Sequence, residues 1–309
     1  MKILLFGKNG QVGWELQRSL APLGELIALD FRAENNPAID GVALQGDFSR
    51  PEALRETVQR VRPDVIVNAA AHTAVDKAES EPELARALNA TSVGVLAEEA
   101  ERIGAALVHY STDYVFDGSG TCPWQETDTP APLNVYGQTK LEGEQLVQQH
   151  CACHLIFRTS WVYAARGANF AKTMLKLGQE RDALSIINDQ HGAPTGAELL
   201  ADATAHAIRH LMRDAACAGL YHLVAGGETT WHGYASHVLE RARQAGLPIR
   251  VAASAIQPVA TSAFPTPARR PYNSRLDTHK LQNTFGLALP HWQTGVDRML
   301  NESLEGHTP

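Results

Sequence analysis

Lys2–Phe6 is a short, nearly continuous apolar run, and Gly7-Lys8-Asn9-Gly10-Gln11-Val12-Gly13 follows it directly. An unbroken apolar strand suits a parallel sheet covered on both faces. The glycines permit a tight turn, and a helical pattern from about Val12 to Leu20 comes next. Strand, glycine turn and helix in this order predict a βα unit whose helix N-terminus faces an anion. A glycine triplet alone reads equally well as an ordinary turn, so the rest of the chain must decide.

The alternation continues. Strands are expected at Glu25–Asp30, Asp64–Asn68, Ala105–Ser111 and His154–Thr159. Helices are expected after Ser49, read as an N-cap before Pro51-Glu52, from Glu81-Pro82 to about Gly104, and over Asn134–His150. This predicts an α/β fold, a doubly wound parallel sheet of the Rossmann type. Beyond Trp161 the pattern changes to helices (Asn169–Glu180, Ala197–Met212, Trp231–Ala245) separated by short extended runs at Ala183–Ile187 and Leu220–Val224. The proline-bearing stretch Ser254–Pro271 reads as an ordered loop. Residues 1–165, with a returning piece near 196–225, are expected to form a dinucleotide-binding domain. Residues 166–309 then form a smaller, discontinuous substrate domain.

Composition removes other classes. The 309 residues carry 27 Lys+Arg against 34 Asp+Glu, a net charge of -7, which argues against nucleic acid as a partner. Cys122, Cys151, Cys153 and Cys217 are too few and too irregular for a disulfide framework or zinc site. No stretch approaches the roughly 18 apolar residues of a membrane helix, and Ile3–Phe6 is too short for a signal sequence. A cytoplasmic protein without a membrane partner is expected.

Several residues fit a nicotinamide dinucleotide. Asp30 lies 17 residues past Gly13 at a strand end, where an acid holds ribose hydroxyls. Arg32 is placed to meet a 2′-phosphate, so both NADPH and NADH are expected to serve. Asp47 and Phe48 fit an adenine contact, although Asp47 also fits an ordinary Asx turn. Asn68-Ala69-Ala70-Ala71-His72-Thr73 follows a strand with small residues that permit close approach, His72 being read as a loop residue touching cofactor. Tyr136-Gly137-Gln138-Thr139-Lys140 puts a phenol and an ammonium on one helical face. The ammonium is expected to lower the phenol's pKa, and Thr112 is placed to orient a carbonyl oxygen. The other histidines are scattered singly and suggest no chemistry.

Together these motifs resemble the extended short-chain dehydrogenase/reductase family, and within it the dTDP-4-dehydrorhamnose reductases. The supporting strings are Ser111-Thr112-Asp113-Tyr114-Val115-Phe116-Asp117-Gly118, Arg158-Thr159-Ser160-Trp161-Val162-Tyr163, Asn188–Thr195 and Ala263–Pro271. The resemblance implies that Tyr136 protonates the C4 carbonyl oxygen of a dTDP-sugar while Thr112 hydrogen-bonds it. It implies that Lys140 holds the nicotinamide ribose, that Tyr110 belongs to the cofactor site, and that Asp113 and Trp161 line the sugar pocket. It further implies Glu15, Glu198 and Glu302 as Mg²⁺ ligands bridging a homodimer. Related dehydratases carry a second acid after the aspartate, where this chain has Tyr114. Other readings the resemblance leaves are a nucleotide-sugar epimerase or dehydratase, and a non-catalytic subunit like the β subunit of methionine adenosyltransferase.

Overall fold

Ile3, Leu4, Leu5 and Phe6 are all fully buried, which only a sheet covered on both faces allows. The computed structural model describes residues 1–304. In it six parallel strands form one sheet: β1 (Lys2–Phe6), β2 (Glu25–Leu29), β3 (Val65–Asn68), β4 (Ala106–Thr112), β5 (His154–Thr159) and β6 (Gly219–His222). Their order is β6-β5-β4-β3-β1-β2, the doubly wound arrangement the alternation predicts. The chain direction across the sheet reverses between β1 and β3, and ligand crevices open beyond the carboxyl ends of strands at such a point. The register pairs Asn68 with Phe6 and with His109, and Thr112 with Thr159, so these residues gather at that edge.

Alternate side chains enter two cores. On one face Ile3, Leu5, Val67 and Phe157 pack with Leu16 and Leu20 of helix Gln11–Leu20 and with Leu200 and Ile208 of helix Ala197–Leu211. On the other, Leu4, Phe6, Ile66 and Leu107 meet Leu54, Val58, Val93 and Leu96. The segment after residue 165 builds a third core from Met174, Tyr234, Val238, Trp292 and Val296.

Three local expectations change. Ser49 is not an N-cap: its backbone N–H and hydroxyl both donate to Asp47 (2.9 and 2.8 Å), and helix Pro51–Val61 starts without a side-chain cap. The long helix after Glu81 contains a π-helical turn, Ala87–Thr91, between Pro82–Arg86 and Ser92–Ile103. The stretch Ser254–Pro271 is only partly loop, because Ile256–Val259 pairs in parallel with Leu184–Ile187. Pro258 is tolerated there since a two-stranded ribbon leaves one side of each strand unpaired. Helices at Val75–Ser80, His279–Phe285 and Trp292–Leu304 have no counterpart among the sequence expectations.

Candidate active site

A cleft of about 730 Å³ opens at the carboxyl edge of the sheet. Its floor begins at the glycine turn. Gly7 adopts φ +83°, and a Cβ there would lie 2.8 Å from the Ala69–Ala70 backbone. A Cβ on Gly13 would stand 2.0 Å from the Gly7 carbonyl oxygen, so Gly13 closes the turn rather than lining the cleft. Gly10 precedes helix Gln11–Leu20 with no side-chain cap, leaving the first backbone N–H groups for an anion. Asn9, Gly10, Gln11 and Val12 line the cleft, and the side-chain oxygen of Gln11 is buried without a partner.

At the far end Asp30 is buried and accepts from Asn9 Nδ2 at 2.7 Å and Asn35 Nδ2 at 3.1 Å. Burial pushes its carboxyl up, but hydrogen bonds from Asn35, Asn9 and the backbone of residues 31 and 32 outweigh it and leave the pKa lowered. Asp30 is therefore ionised at neutral pH. Asp47 and Phe48 line the same end, and Asp47 is indeed the acceptor of an Asx turn. Arg32 does not line the cleft; its guanidinium rests 5.1 Å over the exposed Phe31 ring.

Ala69, Ala70, Ala71 and Thr73 line the middle of the cleft, whereas His72 turns away from it. The backbone of His72 is clamped by Asn89, which accepts from its N–H at 2.8 Å and donates to its carbonyl at 3.1 Å. Asn89 also donates to Thr139 Oγ1 at 3.1 Å on the helix Val135–His150. Its place in the π-helical turn brings it to this junction, and such turns recur at functional sites. Nothing in the sequence periodicity marked Asn89.

The catalytic candidates converge. Asn134 caps the helix Val135–His150 through Gly137 N–H at 2.8 Å, which presents Tyr136 and Lys140 to the end of β4. Tyr110, Thr112, Asp113, Tyr136, Lys140 and Trp161 all line the cleft. The Tyr136 phenol is not lowered as expected. Burial pushes it up to about 12, with Thr112 hydrogen-bonding it and the Asp113 charge opposing its ionisation. Lys140 is directed elsewhere: its Nζ donates to the Tyr110 carbonyl at 2.6 Å and lies 3.3 Å from His109 Nε2. Burial lowers the lysine to about 8. Asp113 is pushed up to about 6 by burial, although Ser274 and Thr112 hydrogen-bond it.

Trp161 sits at φ +49°, a backbone region that bulky residues rarely enter. There it stacks on Trp231 with ring centroids 3.7 Å apart, and Trp231 also lines the cleft. Sequence reasoning placed Trp231 only as the first residue of a helix.

A family model described as the RmlD substrate binding domain matches residues 1–305. A dTDP-4-dehydrorhamnose reductase of Shigella flexneri is 65% identical over 302 residues, covering 98% of this chain and 98% of that one. A crystal structure of a dTDP-4-dehydrorhamnose reductase from Clostridium acetobutylicum superposes with a TM-score of 0.85 at 34% identity, over 98% of this chain and 99% of the other. The enzyme of that name from Bacillus anthracis, solved in complex with NADP, gives 0.83 at 33% identity over 97% and 99%. The chain belongs to the dTDP-4-dehydrorhamnose reductase family.

Membership in the reductase family does not bring a metal site into view. Among the described residues, no three His, Cys, Asp or Glu side chains gather closely enough to hold an ion. Glu198 has its carboxyl raised by burial, with Glu302 and Glu15 adding to the effect. Arginines answer the other two: Arg18 lies 3.7 Å from Glu15, and Arg298 lies 3.1 Å from Glu302. No helix is long and apolar enough to cross a membrane among the described residues.

Proposed function

We propose that this protein reduces the C4 carbonyl of dTDP-4-dehydro-L-rhamnose to dTDP-L-rhamnose with NADPH or NADH. The product would serve surface polysaccharides such as O antigen, and the reaction would take place in the cytoplasm. Family membership supports the reading, and one observation carries it. Thr112, Tyr136 and Lys140 meet at the end of β4 in the same cleft as the glycine turn.

The cleft suits a dinucleotide. The uncapped helix N-terminus offers backbone N–H groups to a pyrophosphate, and the ionised Asp30 offers an acceptor to ribose hydroxyls. A reduced nicotinamide bound there supplies the hydride. Charge then develops on the carbonyl oxygen, and the residues of this chain manage it. Burial keeps Tyr136 protonated well beyond neutral pH, so its hydroxyl is the proton donor. Thr112 Oγ1 would orient the same oxygen, and Lys140, which also lines the cleft, would hold the nicotinamide ribose. Asp113 and the Trp161–Trp231 stack form the wall against which the sugar rests.

Dehydratase or epimerase chemistry is disfavoured because Tyr114, not a second acid, follows Asp113, and burial raises its phenol. A purely regulatory role is disfavoured by the convergence of Thr112, Tyr136 and Lys140. We divide the chain into residues 1–165 with 196–225 for the cofactor and the remainder of 166–309 for the sugar. The entry of β6 into the main sheet and the packing of Ala197–Leu211 against its first core support that division. A Mg²⁺-bridged homodimer through Glu15, Glu198 and Glu302 needs carboxylates from a second copy. A mass in solution that ignores both Mg²⁺ and EDTA retires it. The decisive experiment for the activity is incubation of purified protein with dTDP-4-dehydro-L-rhamnose and NADPH. Stoichiometric oxidation of NADPH with appearance of dTDP-L-rhamnose is expected; absence of turnover overturns the reading.

A further inference from the structure

His109 has no place in the mechanism above, yet it lies fully buried between Asn68 of β3 and Lys140 of the catalytic helix. Its hydrogen bonds fix which ring nitrogen carries the proton. Ala70 N–H donates to Asn68 Oδ1 at 3.0 Å, which turns the Asn68 amide nitrogen toward His109 Nδ1 at 3.1 Å. An amide nitrogen donates and does not accept. Nδ1 is therefore bare, and a neutral imidazole keeps its hydrogen on Nε2. That hydrogen points at Lys140 Nζ, 3.3 Å away.

An ammonium has three hydrogens and no lone pair, so it meets Nε2–H donor to donor. An amine fits every contact. One hydrogen goes to the Tyr110 carbonyl at 2.6 Å, the lone pair accepts Nε2–H, and the second hydrogen remains for the cleft. We propose that His109 is a positioning residue that, locked by Asn68 with its proton on Nε2, biases Lys140 toward the amine.

The surrounding groups are consistent with this balance. Glu144, one turn along the same helix, favours the ammonium, but its carboxylate is held by Arg158 of β5 at 2.9 and 2.6 Å. The Tyr110 phenol is committed to Thr204 Oγ1 at 2.6 Å. Tyr136 and Asp113 share the cleft, where Thr112 bonds to the Asp113 carboxylate at 3.0 Å. Burial disfavours the imidazolium of His109 and holds its pKa well below the ordinary range, so the ring stays neutral. Burial also lowers the lysine in the same direction as the Nε2–H contact.

The tautomer belongs to the protein alone; only its kinetic consequence rests on the reductase reading. In ¹⁵N-histidine-labelled protein without cofactor or sugar at pH 7, long-range ¹H–¹⁵N correlation should show His109 with bare Nδ1 and protonated Nε2. A protonated Nδ1, or an imidazolium, overturns the proposal. In His109→Gln the amide is free to turn Oε1 toward Nζ, an acceptor that suits the ammonium. Lys140 loses its proton well before Tyr136, so the alkaline limb of kcat/KM reports the lysine and is then expected to move up by about one pH unit. A purely structural histidine would lower kcat/KM without moving that limb, and an unmoved limb in folded His109→Gln overturns the proposal. If that variant does not fold, the wild-type spectrum decides. Failure of the wild type to reduce the sugar would sink the reductase reading while leaving the spectrum to judge His109.

Discussion

The wall formed by Gly7–Gly13 is closed by a backbone contact within one short turn, whereas the wall around Trp161 and Trp231 is assembled from segments far apart in the chain. In the first, a missing Cβ does the structural work and Gly13 fits under the Gly7 carbonyl. In the second, Trp231 Nε1 donates to Gln190 Oε1 at 3.0 Å, and Gln190 Nε2 donates to Thr261 Oγ1 at 3.0 Å. Thr261 in turn donates its backbone N–H to Asp189 at 2.9 Å. A local backbone device leaves a short motif in the sequence. A wall built from a side-chain relay leaves isolated residues that nothing nearby explains.

The seam between the walls should show the largest effect. Tyr136→Phe removes one hydroxyl, and loss of a positioned acid costs about 10²–10⁴-fold in rate. We expect kcat to fall by that order while NADPH affinity, read by fluorescence titration, barely changes. Thr112→Val should cost less, because it orients the oxygen without donating the transferred proton. Near wild-type kcat in Tyr136→Phe, with a deuteride isotope effect confirming rate-limiting chemistry, would remove Tyr136 as the acid.

The glycine wall can be broken by one methyl group. Gly13→Ala places a Cβ into the Gly7 carbonyl and should destabilise the protein by about 1–3 kcal/mol. Gly10→Ala, whose nearest neighbour would be 3.4 Å away, should leave thermal stability close to wild type. Equal melting temperatures for the two variants would show that the turn does not depend on this contact.

The sugar wall should respond differently. Trp231→Ala leaves Trp161 without its stacking partner, and truncating an aromatic anchor of a binding surface commonly costs more than about 1 kcal/mol. KM for the sugar is expected to rise while Kd for NADPH stays level. A parallel loss of both would mean that the two walls are not independent.

The smallest effect belongs to Arg32. It is exposed two residues past Asp30, the proposed acceptor of the ribose hydroxyls, and exposed ion pairs contribute about 0.2–1 kcal/mol. Arg32→Ala should therefore weaken NADPH by about two- to fivefold relative to NADH. Equal losses for the two cofactors would make Arg32 an ordinary surface charge.

The sheet and the glycine turn were legible because both are periodic or local. Short apolar runs alternating with helical patterns mark β1 to β5, and the i, i+4 spacing of Tyr136 and Lys140 within Asn134–His150 marks one shared helical face. Asn89 was not legible, since its importance comes from a π-helical turn that carries no distinctive periodicity. Trp231 and His109 were hidden for a related reason: each acquires meaning only from a partner on another element, Trp161 for the one and Lys140 for the other. The lowered tyrosine pKa failed as an expectation because i, i+4 spacing fixes a shared face and not the contacts of Nζ. His109 and the Tyr110 carbonyl engage the lysine instead.

The position of β6 has a consequence for biogenesis. It pairs with β5 through Gly219–Leu155 and His222–Arg158, yet residues 160–218, including Met174 of the third core, lie between them in the chain. As the polypeptide leaves the ribosome, β1 to β5 emerge with the β5 edge exposed, and that edge stays uncovered until residues 219–222 are free to reach it. Open edges invite pairing with the wrong strand, and contacts between distant residues form slowly. The edge at β5 is thus open to mispairing until synthesis has passed residue 222.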